Sequence, residues 1–179
     1  VLFVALVVLQ GRLRGLSALV GLVAAIGVIV VFVLPALVAG RPPVPVAVVA
    51  ASLVAFLALY LAHGFHPLTT VALMGTLGSL VVVVLLSWVF TRVTVLSGLG
   101  EEAQYIRALG AELDFGGLLL AGIILGALGA LDDVTVTQAS AVAELRAANP
   151  EYGVRELYRS GSRIGRDHIA STVNTLALA

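Results

Sequence analysis

The chain has 179 residues, of which 60% are hydrophobic and 11% charged, and its mean hydropathy is +1.13. Soluble domains are about 45–50% apolar and about 25% charged, so this inventory cannot cover a core with a polar surface, and a water-soluble domain is excluded. Ten Arg, no Lys and ten acids give zero net charge, without the basic surplus a nucleic-acid binder needs, and the absence of Cys removes disulfides, thiolate catalysis and Cys-based zinc sites.

The pattern predicts an all-α, polytopic transmembrane helix bundle, here a fragment, with a cytoplasmic helical hairpin. Residues 1–9 are an apolar run of about 13 Å as a helix, short of the ~20 residues that cross a bilayer, so they read as a truncated first span of a longer protein. Four long runs follow, at 16–39, 44–62, 68–90 and 115–131, none containing Asp, Glu, Lys or Arg. Helices are the open-ended structure that satisfies its own backbone in lipid, and the runs lack the alternation of a barrel. Pro35 predicts a kink near the outer end of the first full span. A last span, 165–179, also reads as truncated.

Loops 10–15, 63–67 and 132–164 alternate with residues 40–43 and 91–114. With Arg166 at the start of the last span counted on the inner side, the first set holds seven Arg and the second three, which places the first set in the cytoplasm by the positive-inside rule. Tyr60, Phe65, Trp88, Phe90 and Phe115 fall at span ends, as an aromatic belt would. In the outer loop, Ser97 through Glu102 followed by Ala103, Ile106 and Leu109 predicts either a short surface helix ending at Gly110 or an ordered loop. In the inner loop, Asn149-Pro150-Glu151 predicts a helix start, with a helix running to about Ser160 and stopping at Gly161. Residues 138–148 are also helix-compatible and complete the hairpin.

Gly122, Gly126 and Gly129 make a small-residue ridge that suits close helix packing, or else a broken helix lining a site. The main polar candidates are Asp133, beside Asp132, and the face formed by Asp167, Ser171, Asn174 and Thr175, with Arg166 as a neighbouring counter-charge. The spacing puts that face two turns deep if the helix enters the membrane, where polar groups line protein or water rather than lipid. The alternative is that these charges anchor helix ends at the interface. His63 and His66 lack a third metal ligand, and His168 has no paired nucleophile, so neither metal nor enzymatic function is expected, and no cofactor.

Several blocks in order carry a family resemblance: Leu96-Ser97-Gly98-Leu99 with Glu101-Glu102; residues 122–130 (GIILGALGA) with Asp133-Val134; and Ser160 through Asp167 with Asn174-Thr175-Leu176, beside His63-Gly64. In these the chain resembles the YibE/F-like family of bacterial multi-pass membrane proteins. The resemblance implies an inner-membrane protein with further parts outside this segment. It matches Asp133, Arg166, Asp167 and Asn174 to the family's polar blocks and supplies no substrate. Asp132 departs from the pattern, in which one Asp stands at this point.

Two functions fit. One is a permease for a small solute or ion, with lipid as its surroundings. The other is a non-transporting membrane subunit or assembly factor that docks a homo-oligomeric or membrane partner through its cytoplasmic loop.

Overall fold

The computed structural model describes residues 9, 16, 17, 19–94 and 114–178, with backbone alone at 171, 172 and 174–178. Among these residues there is no strand. Five helices follow in order: α1 (Leu19–Val38), α2 (Pro43–His63), α3 (Pro67–Val93), α4 (Phe115–Ala148) and α5 (Val154–Leu178). The first four are long and apolar enough to cross a membrane. At ~1.5 Å per residue the 21 residues of α2 reach about 31 Å, close to the ~30 Å hydrocarbon core. The expected outer-loop helix at 101–110 lies outside the described residues, as do residues 1–8 and 10–15.

The chain forms two compact units, Val1–Asp132 and Asp133–Ala179, and α4 contributes to both. In the first unit, α2 is the packing centre. Ala47, Ala51 and Ala55 recur at i+4, and with Ala50 and Leu59 they are fully buried. In lipid, small residues of this kind let helix backbones approach and gain dispersion contacts. The neighbours have stripes to match. Gly21 of α1 lies against Ala58, whose Cα would sit 3.6 Å from a Cβ built at position 21. Val33 of α1 packs on Val46 and Ala50, with Leu125 of α4 against the same cluster.

The expected disturbance at Pro35 takes the form of a wide turn. Pro35 has no N–H to donate and its ring crowds the preceding turn. The helix widens to π geometry over Ile29–Val33, and the Leu34 N–H reaches back to the Ile29 carbonyl. Gly40 then ends α1 at φ 72°. Its N–H bonds Leu37 O at 3.0 Å and the Arg41 N–H bonds Ala36 O at 3.0 Å, closing a Schellman motif that only a left-handed residue completes cheaply. At the opposite end Gly64, φ 76°, ends α2, and Pro67 opens α3. Tyr60 and Thr70 hydroxyls meet at 3.0 Å across that turn, and Phe65 stacks on Tyr60 at 4.5 Å.

The second unit is the antiparallel hairpin of α4's last turns and α5, and here two local expectations are corrected. Asn149 does not start the second helix. Its N–H and its side-chain Nδ2 both donate to Leu145 O, at 3.0 and 3.2 Å, so it closes α4. Pro150 prevents α4 from continuing, and the turn 149–153 follows. α5 instead starts after Gly153, whose N–H donates to Glu156 Oε2 at 3.0 Å, one half of a capping box. Gly161 does not stop α5 but lies buried inside it.

Candidate functional site

Two places in the fold bring polar groups together. The first is the buried face of α3. Thr69, Thr76, Ser87 and Thr91 are all buried, and their spacing of 7, 11 and 4 keeps them on one side of a helix. Ala72, Leu73 and Leu80 share that side, whereas Val71, Met74, Val81, Leu85 and Phe90 are exposed. The face is inverted relative to a soluble helix: hydroxyls inward, branched apolar side chains outward. Thr69 and Thr91 are 22 residues apart, about 33 Å along the axis, so the hydroxyls extend over a bilayer thickness. Between Thr76 and Ser87 the face is Leu80 with half-buried Val83 and Val84. Thr91 Oγ1 donates to Ser87 O at 2.8 Å, which lets a hydroxyl sit inside without an unmet donor. Sequence reasoning based on charge missed this face. Its signal was the helical spacing of weakly polar residues in an uncharged run.

Near the Arg41 end of the same unit, Arg41, Pro43, Asp114 and Leu118 line an open cavity of about 400 Å³. Asp114 caps α4, with Oδ1 accepting the Gly117 N–H at 2.9 Å. A Cβ at Gly117 would fall 2.2 Å from Asp114 Oδ2 and 3.2 Å from Pro43 Cδ, so this glycine sets how closely α4 meets α2 and its own cap.

The second place is the hairpin. Gln138 Nε2 donates to the Gly161 carbonyl at 2.8 Å. Cβ atoms at Gly161 and Gly165 would meet Val142 Cγ2 at 2.8 Å and Gln138 Oε1 at 2.9 Å, so two glycines one turn apart let α5 close onto α4. Arg146 Nη1 donates to Tyr152 O and fixes the turn. Asp133, Arg166 and Asp167 are exposed on this unit, and His168 is half-buried. Ser171, Asn174 and Thr175 belong to α5, but their side chains lie outside the described residues. Gly122, Gly126 and Gly129 are exposed, with nothing within 4 Å of an added Cβ. His63 and His66 are exposed, and no group of three His, Cys, Asp or Glu able to hold a metal occurs among the described residues.

A family model for YibE/F-like proteins matches residues 1–179. The chain belongs to the YibE/F-like family. Comparisons with curated proteins and with solved structures give no match. Within a YibE/F-like chain, the resemblance carried by Asp133, Arg166 and Asp167 maps to the exposed hairpin, and the buried hydroxyls of α3 stand apart from it.

Proposed function

We propose that this chain is the membrane core of a permease for a small solute or ion in a bacterial inner membrane, with the 63–67 turn and the α4–α5 hairpin on the cytoplasmic side. The observation that supports it is the hydroxyl-bearing face of α3, buried along a bilayer thickness. Hydroxyls can replace part of a hydration shell without the cost of a fixed charge in lipid. Leu80, Val83 and Val84 divide the face into an inner pair (Thr69, Thr76) and an outer pair (Ser87, Thr91), and an apolar band of this kind acts as a gate that opens when helices shift. Exposed carboxylates such as Asp133 and Asp167 raise the local cation concentration at a cytoplasmic surface. The reading includes no catalysis.

The test is flux through the whole protein in proteoliposomes, with protons, alkali cations and small uncharged solutes as probes. Thr76→Val keeps volume and removes one buried hydroxyl, and it should slow the transported species at least tenfold. Wild-type flux in both Thr69→Val and Thr76→Val would remove α3 from the path.

A second reading is a docking subunit that uses the hairpin. It is favoured by the Gln138–Gly161 clasp, which stiffens the unit, and by exposed Tyr158 and Ile169 eleven residues apart on one strip of α5. A photocrosslinker at position 158 that captures no membrane protein in cells would count against it.

A further inference from the structure

We infer that α5 carries a phosphate-binding site formed by Arg159, Arg163 and Arg166. The three follow at i, i+4 and i+7, so their guanidiniums project from one face over two turns. Together with Tyr152, Glu156 and Ser160 they line an open hollow of about 470 Å³. That volume falls in the range of about 300–1,000 Å³ usual for small-ligand sites.

Charge within the hollow is unbalanced. Three guanidiniums face one carboxylate, and Oε2 of that carboxylate already accepts the Gly153 N–H. Like charges one turn apart on a helix repel, so the unoccupied face is destabilised and a bound anion relieves it. Guanidinium presents planar, paired donors that match phosphate oxygens, and three such forks around one hollow suit the tetrahedral oxygens of a phosphate group better than a carboxylate, for which one fork suffices. Ser160 and Tyr152 complete the lining. The hollow is also held in shape: Arg146 is bound to the Tyr152 carbonyl, and Gln138 is bound to Gly161, one residue beyond Ser160. Arg155 is exposed on the same helix but does not line the hollow, which makes it an internal control.

The phosphate can belong to a soluble molecule or to a lipid headgroup, since α4 joins the hairpin directly to a membrane-crossing segment. The experiment separates the two. The whole protein is placed in phosphatidylcholine nanodiscs and titrated with pyrophosphate, and in parallel it is placed in nanodiscs containing phosphatidylglycerol. Thermal unfolding is followed in each. A ligand that binds the native state raises Tm by mass action. A soluble source predicts a rise with pyrophosphate in phosphatidylcholine, and a lipid source a rise with phosphatidylglycerol alone. In either case Arg163→Gln should reduce the apparent affinity at least tenfold, while Arg155→Gln leaves it unchanged. The variant R159K/R163K/R166K guards against loss of folding: it keeps the charge, loses the forks, and should bind weakly with an unliganded Tm near wild type. No rise with either probe, or equal weakening by Arg155→Gln and Arg163→Gln, overturns the site and leaves an ordinary solvated basic face.

Discussion

Gln138 Nε2 donates to the carbonyl oxygen of Gly161 at 2.8 Å, joining two helices at positions 23 residues apart in sequence. The carbonyl belongs to a residue within a continuous helix, so the carboxamide N–H is a second donor to an oxygen that α5 already uses. The approach is possible because position 161 has no side chain, and Val142 Cγ2 occupies the space where a Cβ would go. Gly161→Val should therefore cost about 1–3 kcal/mol through overpacking, larger than any gain from replacing a helical glycine. Gln138→Leu removes the hydrogen bond without orphaning the carbonyl and should cost about 0.5–1.5 kcal/mol. Thermal unfolding of both variants checks the order. A Gly161→Val protein as stable as wild type would show that the hairpin opens without penalty.

Pro35 and Gly21 are linked through the π turn. Replacing Pro35 by Ala restores a donor and lets Ile29–Val33 return to α geometry. Removing the extra residue of this under-wound turn rotates the part of α1 before Ile29 by about 100° relative to the part after it. Gly21 then leaves Ala58. Because the chain has no Cys, the pair Gly21→Cys/Ala58→Cys is a clean reporter, with backbones close enough for a disulfide. It should crosslink in the Pro35 protein and fail in Pro35→Ala. Crosslinking in both would mean that the π turn is held by packing and not by the proline.

The spans at 16–39, 44–62 and 68–90 were legible because an uncharged run of that length has one stable form in lipid, and α1, α2 and α3 fall within a few residues of them. The hairpin was legible as two helices, but not in its joints. Asn149-Pro150 carries both a stop and a start signal, and which one is used depends on Leu145 O needing a donor. Gly161 looks like a helix end from sequence alone, yet the contact with Gln138 and Val142 overrides that local preference. The α3 hydroxyls were hidden for another reason. Hydropathy scores Ser and Thr as nearly neutral, so an inward polar face leaves no dip in an apolar run.

Gly117→Ala tests the joint between α2 and α4. The new methyl would meet Asp114 Oδ2 at 2.2 Å, so the cap must swing away and leave the Gly117 N–H unbonded. Loss of an N-cap costs about 0.5–2 kcal/mol. Asp114→Ala alone should cost about the same. The double variant should cost much less than the sum, because both changes remove one interaction. Additive losses in thermal unfolding would show that Pro43, 3.2 Å from the methyl, is the real obstacle.

Asp133 and Asp167 are exposed, so their carboxylates contribute little to folding. Asp133→Asn and Asp167→Asn should each change stability by no more than about 0.5 kcal/mol. Under the permease reading, exposed carboxylates on the hairpin raise the local cation concentration, so the same substitutions should reduce cation flux, most strongly at low salt, where exposed carboxylates are least screened. Flux in proteoliposomes at about 0.01 M and about 0.15 M ionic strength, with thermal unfolding alongside, separates the two effects. A flux loss with unchanged Tm and strong salt dependence supports a steering role. A flux loss that is independent of salt instead places the carboxylate in direct contact with the ion. Unchanged flux for both variants removes the hairpin acids from the path and leaves the buried α3 hydroxyls to carry it alone.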